Sequence, residues 1–279
     1  LSTIEEGIAL YEHEWLHGIS SSFELRGRHI SSNRYVPMIL PDGRSLHGIN
    51  DASIRIGLRL SKDETIVRMP FEVRHMGSKY PIFSFDFTGA KRGVLPASYD
   101  YLRLEGRMQY RLNLPPIGYS QLMLEGGKIF GKVPYLLLKL HEGNGTYFYD
   151  RYAFSCMNFY EFSSDAWISF FYEHHFNGFL LGRVPLLKKL NWREVFVFKG
   201  VYGTLSARND GSLPNTKAVM LFPVGMSSVE HPYLETGFGI ENIFRLLRVD
   251  FIWRLTHHRP IPGLSIPTFT VNFSLNLKF

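Results

Sequence analysis

Cysteine and long apolar runs are both scarce in this chain. Cys156 is the single cysteine among 279 residues, which excludes a disulfide within the sequence. A membrane-spanning helix needs roughly 18 or more consecutive apolar residues. Even the aromatic stretch 159–176 is interrupted by charged side chains. The sequence is therefore not that of a helical membrane protein.

Signatures of known catalytic and metal-binding sites are also missing. Neither HExxH nor GxSxG occurs, and GGKIFGK at 126–132 lacks the GxxxxGK[ST] frame of a phosphate loop. Glu and His cluster at 12–14 and 173–175, but neighbouring residues on a regular strand point to opposite faces and cannot bind one ion together. We expect no enzyme activity, no cofactor and no metal site. A lipid hydrolase or protease that uses unrecognised residues is the enzymatic alternative.

Aromatic residues, in contrast, are abundant at 15%. This excess favours β-structure and the aromatic girdles of membrane barrels, with an aromatic-rich soluble β-sandwich as the alternative. Mean hydropathy is near zero, which suits a barrel because alternation along each strand hides its hydrophobicity. The net charge of +6 comes from Lys and Arg interleaved with apolar residues rather than gathered in stripes. We therefore expect no binding to nucleic acid.

The last twelve residues, 268–279, alternate between apolar and polar side chains without interruption. Such a strand fits a wall between lipid and water, because successive side chains point to opposite faces. A terminal aromatic residue is also typical of the last strand of a bacterial outer-membrane barrel. The side chains predicted to face lipid are Phe269, Val271, Phe273, Leu275, Leu277 and Phe279.

Residues 101–113, YLRLEGRMQYRLN, repeat this pattern with charged side chains on the second face. Burying these charges in a soluble core would be very costly, whereas a hydrated barrel interior tolerates them. Such faces either set the selectivity of an open pore or form a salt-bridge network that stiffens the wall, and their mixed signs favour the network. The residues predicted to face the interior are Arg103, Glu105, Arg107, Arg111, Glu161, Glu173, Glu235, Glu241, Arg248, Asp250 and Arg254.

The predicted fold is all-β, an antiparallel transmembrane β-barrel of about twelve strands that occupies residues 1–279 as one domain. A short amphipathic helix is expected at 184–190, and Cys156 is expected to face lipid beside Phe154 and Phe162. If Phe279 ends in the periplasm, the loops 208–231 and 258–267 are extracellular. The predicted strands are 4–15, 18–31, 51–60, 81–90, 99–113, 117–129, 152–162, 165–176, 194–207, 232–243, 246–257 and 268–279.

One long stretch, residues 158–209, closely resembles a Bacteroidota outer-membrane family of unknown function. Further resemblance lies at 80–93, 126–144 and 233–255. Members of that family carry an N-terminal carboxypeptidase-regulatory-like β-sandwich followed by a barrel, and the sandwich is not catalytic. The chain begins at Leu1, without Met or a signal peptide. We therefore expect a processed chain or the C-terminal part of a longer protein and a larger barrel.

The barrel of that family is similar, at a distance, to the BamA and TamA assembly barrels. The resemblance implies a bacterial outer-membrane location, a role in outer-membrane protein or lipid biogenesis or export within a complex, and partners among outer-membrane lipid, proteins and lipoproteins. A substrate-specific or passive channel, or a structural partner in nutrient uptake or secretion, is the alternative. The chain lacks the VRGF/Y-type motif of the basic loop tip that assembly factors tuck into the barrel.

Overall fold

Alternating side chains produce long strands throughout this computed structural model, which describes residues 3–16, 18–69, 72–94, 96–213, 216–260 and 264–275. The strands are β1 (Thr3–Leu16), β2 (Ile19–Ser31), β3 (Gly48–Leu60), β4 (Glu64–Met69), β5 (Glu72–Ser78), β6 (Ile82–Ala90), β7 (Tyr101–Asn113), β8 (Tyr119–Gly131), β9 (Lys139–Leu140), β10 (Phe162–Ser164), β11 (Ala166–His175), β12 (Arg193–Thr204), β13 (Ser227–Ser228), β14 (Tyr233–Ile243), β15 (Leu247–Arg254) and β16 (Phe269–Leu275).

Helical structure in the described residues is confined to single turns. Two 3₁₀ turns span Tyr135–Leu137 and Leu181–Arg183, and the α-helix α1 spans Pro185–Lys188, which confirms the short helix predicted at 184–190. In the part of the chain that the structure describes, no helix is both long and apolar enough to cross a bilayer.

Eleven strands form one antiparallel sheet in the order β1-β2-β3-β6-β7-β8-β11-β12-β14-β15-β16. Their register places apolar side chains opposite apolar ones and charged side chains opposite charged ones. Phe23 of β2 lies opposite Ile56 of β3, and Glu24 lies opposite Arg55. This is the predicted all-β antiparallel barrel architecture. Between the described residues of β1 and β16 no pairing is present.

The two faces of the sheet differ in chemistry. Along β12, Val195, Val197 and Lys199 are buried on the inner face, whereas Phe196 and Tyr202 are exposed on the outer face. The same division holds along the neighbouring strands β14 and β15. An exposed belt of aromatic and aliphatic side chains is the surface that a lipid-facing barrel wall requires.

The connections between strands divide between the two ends of the sheet. One end carries the loops 32–47 and 132–165 and the described residues of the connections 91–100, 205–232 and 255–268. The other end carries Gly18 between β1 and β2 and the tight turns at 114–118 and 244–246, together with the β4–β5 hairpin and α1. The described residues of the segments 208–231 and 258–267, predicted to be extracellular, therefore share one end, and β16 runs away from it.

The loops at this end pack into an apolar cap. Val36, Met38, Tyr135 and Met220 are buried together there. Tyr135 donates a hydrogen bond to the carbonyl of Pro37 at 2.9 Å, which ties the 132–165 loop to the 32–47 loop. The cap thus has the packing of a small hydrophobic core.

Two assignments made from the sequence need correction. The predicted strand 152–162 is wrong, because residues 153–157 are buried without strand pairing in the main sheet and only Phe162–Ser164 forms the short β10, in a small sheet with β9 and β13. The hairpin of β4 and β5 was not predicted, since neither strand has an alternating run long enough to span a membrane. The main sheet therefore holds eleven of the roughly twelve strands expected.

Candidate functional site: the interior segment

The connection between β8 and β11, residues 132–165, turns back over the inner face of the sheet and is here called the interior segment. Its hydrogen bonds reach β11, β12, β14, β15 and β16. Because these strands lie side by side, the interior segment fills the half of the barrel interior that they enclose. The contacts that hold it are ion pairs between buried charges and hydrogen bonds from buried charges to backbone groups.

Glu173 of β11 is the centre of these contacts. Arg151 of the interior segment donates to its carboxylate at 2.9 Å, and Arg248 of β15 donates at 3.1 Å. The hydroxyl of Tyr149 also donates to Glu173. Arg248 makes a further bidentate contact with Asp250 at 2.8 Å. Burial alone would penalise each charge, so the alternation of sign is what makes the cluster tolerable.

Lys199 of β12 holds the segment through its backbone. Its buried ammonium donates to the carbonyls of Asp150 at 2.8 Å and Ala153 at 2.6 Å. The same ammonium lies 4.5 Å from the ring centroid of Tyr149, and the guanidinium of Arg248 lies at an equal distance. Tyr149 is therefore fixed between two cations.

Glu235 of β14 accepts hydrogen bonds from backbone N–H groups of the interior segment. The N–H groups of Ser155 and Cys156 donate to its carboxylate at 2.9 and 2.6 Å, and the hydroxyl of Tyr233 donates at 2.7 Å. Cys156 is fully buried here, so the expectation that it faces lipid is wrong. Burial raises the pKa of the Cys156 thiol to about 12, which makes it inert at neutral pH.

Arg254 of β15 closes the network near the loop end. Its guanidinium donates to Glu161 at 2.6 Å and to the carbonyl of Cys156 at 3.2 Å. The side chains of Arg254 and Glu161 are 0% and 2% exposed. Glu161 was assigned to the barrel wall, but it belongs to the interior segment and reaches the wall through Arg254.

The loop end of the segment is fixed by two further polar groups. Asp165 accepts from the hydroxyl of Ser206, from Lys128 at 2.9 Å and from the backbone N–H of Ser206 at 3.0 Å, and these hydrogen bonds keep its pKa below the usual value despite burial. His141 contacts the Ser164 hydroxyl at 2.9 Å. Burial lowers the pKa of His141 to about 3, so this imidazole is neutral.

The other half of the interior, along β2 to β8, contains a polar cavity of about 270 Å³. Each of the arginines that line it is paired with a carboxylate. Arg103 contacts Glu105 at 2.8 Å, and Arg107 contacts Glu125 at 2.7 Å. The same holds for Arg55, whose guanidinium lies 2.9 Å from Asp86. The cavity therefore presents balanced charge rather than a surplus of one sign.

The remaining predicted interior residues lie near the opposite end of the barrel. Glu241 is buried, and its carboxylate lies 3.2 Å from His175. Arg111 is exposed and lies over the ring of Tyr119 at 4.1 Å. No group of three or more His, Cys, Asp or Glu side chains able to hold a metal ion occurs among the described residues.

The interior segment also reaches the edge of the last strand. Tyr147 and Tyr149 flank a parallel bridge between Phe148 and Phe273 of β16. The side-chain amide of Asn272 donates to the carbonyl of Thr146 at 3.1 Å. We call residues 146–149 the edge segment. Through it, the interior segment pairs with the edge of β16, the last strand of the sheet.

The outer face of β16 is apolar as predicted from alternation. Phe269, Phe273 and Leu275 are exposed, and Val271 is half-buried. Leu277 and Phe279, the other two residues assigned to the lipid face, lie outside the described residues.

The sequence matches the model of the family of unknown function DUF5686, C-terminal domain, over residues 12–207. The chain belongs to this family. No curated protein matches the sequence. Among solved structures, the chain is similar to BamA from Haemophilus ducreyi lacking POTRA domains 1–3, with a TM-score of 0.58 and 11% identity. The match covers 98% of this chain and 54% of that one, so the chain spans about half of that structure.

The likeness to BamA shows the barrel fold. The VRGF/Y-type loop motif is absent from this DUF5686 chain. The interior segment nevertheless places a basic side chain, Arg151, on the wall residue Glu173. Sequence reasoning missed Tyr149, Arg151 and Lys199. Lys199 carried a usable signal, because it shares the inner face of β12 with Val197 and Val201 and needs a partner there.

Proposed function

We propose that this DUF5686 chain is the membrane-embedded barrel of a bacterial outer-membrane protein that acts, within a complex, in outer-membrane protein or lipid biogenesis or export. The observation that carries the proposal is the interior segment of a BamA-like barrel. This segment is anchored on buried charges of the wall and extends to the edge of the last strand.

The proposed mechanism uses strand pairing rather than catalysis, and we propose no enzymatic role. An exposed strand edge offers unpaired N–H and C=O groups to another chain. In this role β16 would template an extended strand of a client by β-augmentation. The lipid-facing aromatic belt would keep that edge at the level of the bilayer, where an unpaired client strand is most costly. Outer-membrane lipid and other outer-membrane proteins or lipoproteins are the proposed partners.

A channel is the second candidate, because the polar cavity lined by arginine and carboxylate pairs resembles a hydrated filter. The apolar cap and the interior segment oppose this role, since both crowd the conduction path. If a channel exists, single-channel conductance in planar bilayers should depend on salt and shift in Arg107→Ala, which breaks the contact with Glu125. A silent bilayer would count against this candidate.

The decisive experiment for the leading proposal is quantitative outer-membrane proteomics after depletion of the full-length protein. A fall in many other barrels, reversed by the wild-type gene, is the expected result. Loss of only one transporter or lipoprotein set would instead indicate a dedicated structural partner. An unchanged proteome would refute a role in biogenesis.

A further inference from the structure

The edge of β16 that faces away from β15 is occupied by the chain itself. The N–H of Phe273 donates to the carbonyl of Tyr147, and the N–H of Tyr149 donates to the carbonyl of Phe273, both at 2.7 Å. Each backbone group that points to a strand edge serves one neighbouring strand. A second strand therefore cannot pair with β16 at Phe273 while the edge segment stays in place.

The pairing is short. Among the described residues, the edge segment forms its bridge to β16 at Phe273, whereas β15 pairs with β16 from Phe269 to Leu275. Tyr147 and Phe148 are 77% and 68% exposed, so burial of apolar surface adds little to hold them. A full-length partner strand would make several times as many backbone hydrogen bonds with the same edge.

The two ends of the edge segment are held very differently. Its inner end, Tyr149, lies between the cations of Lys199 and Arg248. Its outer end depends on Asn144, whose side chain accepts from the N–H of Thr146 at 3.0 Å and donates to the carbonyl of Phe148 at 2.6 Å. The outer end is thus held by this local turn and by one hydrogen bond from the Asn272 amide to the carbonyl of Thr146, whereas the inner end is fixed by two buried cations.

One buried polar atom is left without a partner beside this turn. Asn272 is fully buried, and its Oδ1 accepts no hydrogen bond within the described part of the chain, although its amide nitrogen serves Thr146. Buried acceptors are normally satisfied. The covered arrangement of β16 thus leaves an unmet hydrogen bond that a rearrangement of the edge could meet.

We propose that the edge segment is a displaceable cover of the last strand, which must leave Phe273 before an extended strand of a client outer-membrane protein pairs with β16. This inference rests on the proposed function and assigns its regulation to residues 146–149. The cover sets the resting state, and a client strand competes with it for the same backbone groups.

A disulfide that locks the cover tests the proposal. Bridged strands lie about 4.8 Å apart, which falls within the Cα separation of about 4.4–6.8 Å that disulfides accept. The variant is Phe148→Cys/Phe273→Cys in the full-length protein. Native Cys156 does not compete, because it is buried and the pKa of its thiol is raised. Ile39→Cys/Ser45→Cys, at a bridge in a loop of the cap, is the matched control.

Each variant replaces the wild-type protein in a depletion strain. The oxidised lock should fail to restore client barrels, at least tenfold below wild type, and should recover when a reductant is added. The oxidised control should restore them fully. Full restoration by a lock whose disulfide is complete overturns the proposal, and so does failure of the lock to form in native membranes.

A structural arm separates this inference from the proposed function. Asn144→Ala removes the turn that holds the edge segment, whereas Asn33→Ala removes a similar turn that binds the N–H of Tyr35. Asn144→Ala should speed amide hydrogen exchange at Phe273 about tenfold, and Asn33→Ala should leave it unchanged. An unchanged rate in Asn144→Ala overturns the cover. If depletion leaves the proteome unchanged, the biogenesis role fails while this arm still decides the cover.

Discussion

The ion pair between Arg254 and Glu161 gives the sharpest prediction about the interior segment. Both side chains are almost fully buried, and their closest N–O distance is 2.6 Å. Replacing Arg254 by Met leaves the Glu161 carboxylate buried, and within the described part of the chain the N–H of Asn158 remains its close donor. Breaking one partner of a buried pair costs about 3–5 kcal/mol. We expect Arg254→Met to lower the free energy of unfolding by that amount.

Urea titration of the barrel in lipid vesicles, followed by tryptophan fluorescence, measures this change. Arg254→Met/Glu161→Gln should recover about 1–3 kcal/mol relative to the sum of the single changes, because the two residues are coupled. Arg44→Met is the control, since Arg44 and Asp42 form a 2.7 Å pair with side chains 78% and 48% exposed. It should cost less than about 1 kcal/mol. Equal small losses for Arg254→Met and Arg44→Met would refute a docked interior segment held by buried charges.

Three further predictions concern other parts of the molecule. Burial lowers the pKa of His141 to about 3, so between about pH 6.5 and pH 3 the unfolded chain binds a proton that the folded chain does not. The free energy of unfolding should therefore fall as the pH is lowered through this range, by up to about 1.4 kcal/mol per pH unit. Urea titrations of His141→Gln should lack this component. Cys156 should resist a maleimide reagent in the folded protein and react in urea, and rapid labelling of the folded protein would contradict its burial. Phe238→Arg on the outer face should cost about 2–4 kcal/mol in vesicles, and a neutral result would place that face outside lipid.

Alternation made the long strands of the sheet predictable. In β7, the apolar residues Leu102 and Leu112 are exposed on one face while Arg103 and Glu105 pair on the other, as the period of two requires. The same alternation predicted where these strands begin and end. Because one face is buried and the other faces lipid, a register slip of one residue would turn every charged side chain toward lipid.

Alternation could not distinguish a side chain that faces lipid from an apolar side chain that is buried inside the barrel. Phe154 and Cys156 have the spacing of a lipid-facing strand, but both are buried in the interior segment. Val197 of β12 is equally apolar and also faces inward. An apolar side chain is compatible with either environment, so the pattern alone predicted a wall strand at 152–162 where the chain instead fills the barrel.

The polar anchors depend on long-range register rather than on local pattern. The contacts of Tyr149 and Arg151 with Glu173 require the interior segment to turn back against β11. The further contact with Arg248 requires β15 to lie three strands away on the same inner face. Opposite charges on the predicted inner face indicated a network, but its members inside the segment could only be found from the folded chain.

In a membrane barrel of this kind, the polar face of the sheet lies inside and the apolar face lies in lipid. Trp253 lies on the outer face of β15 beside Phe238, whereas Trp167 is buried on the inner face of β11. Fluorescence quenching by brominated lipids in vesicles distinguishes them when each is the single tryptophan of a variant, the other three being replaced by Phe. We expect strong quenching of Trp253 and little quenching of Trp167. Equal quenching, or none for either, would contradict a barrel with its polar face inside and its apolar face in lipid.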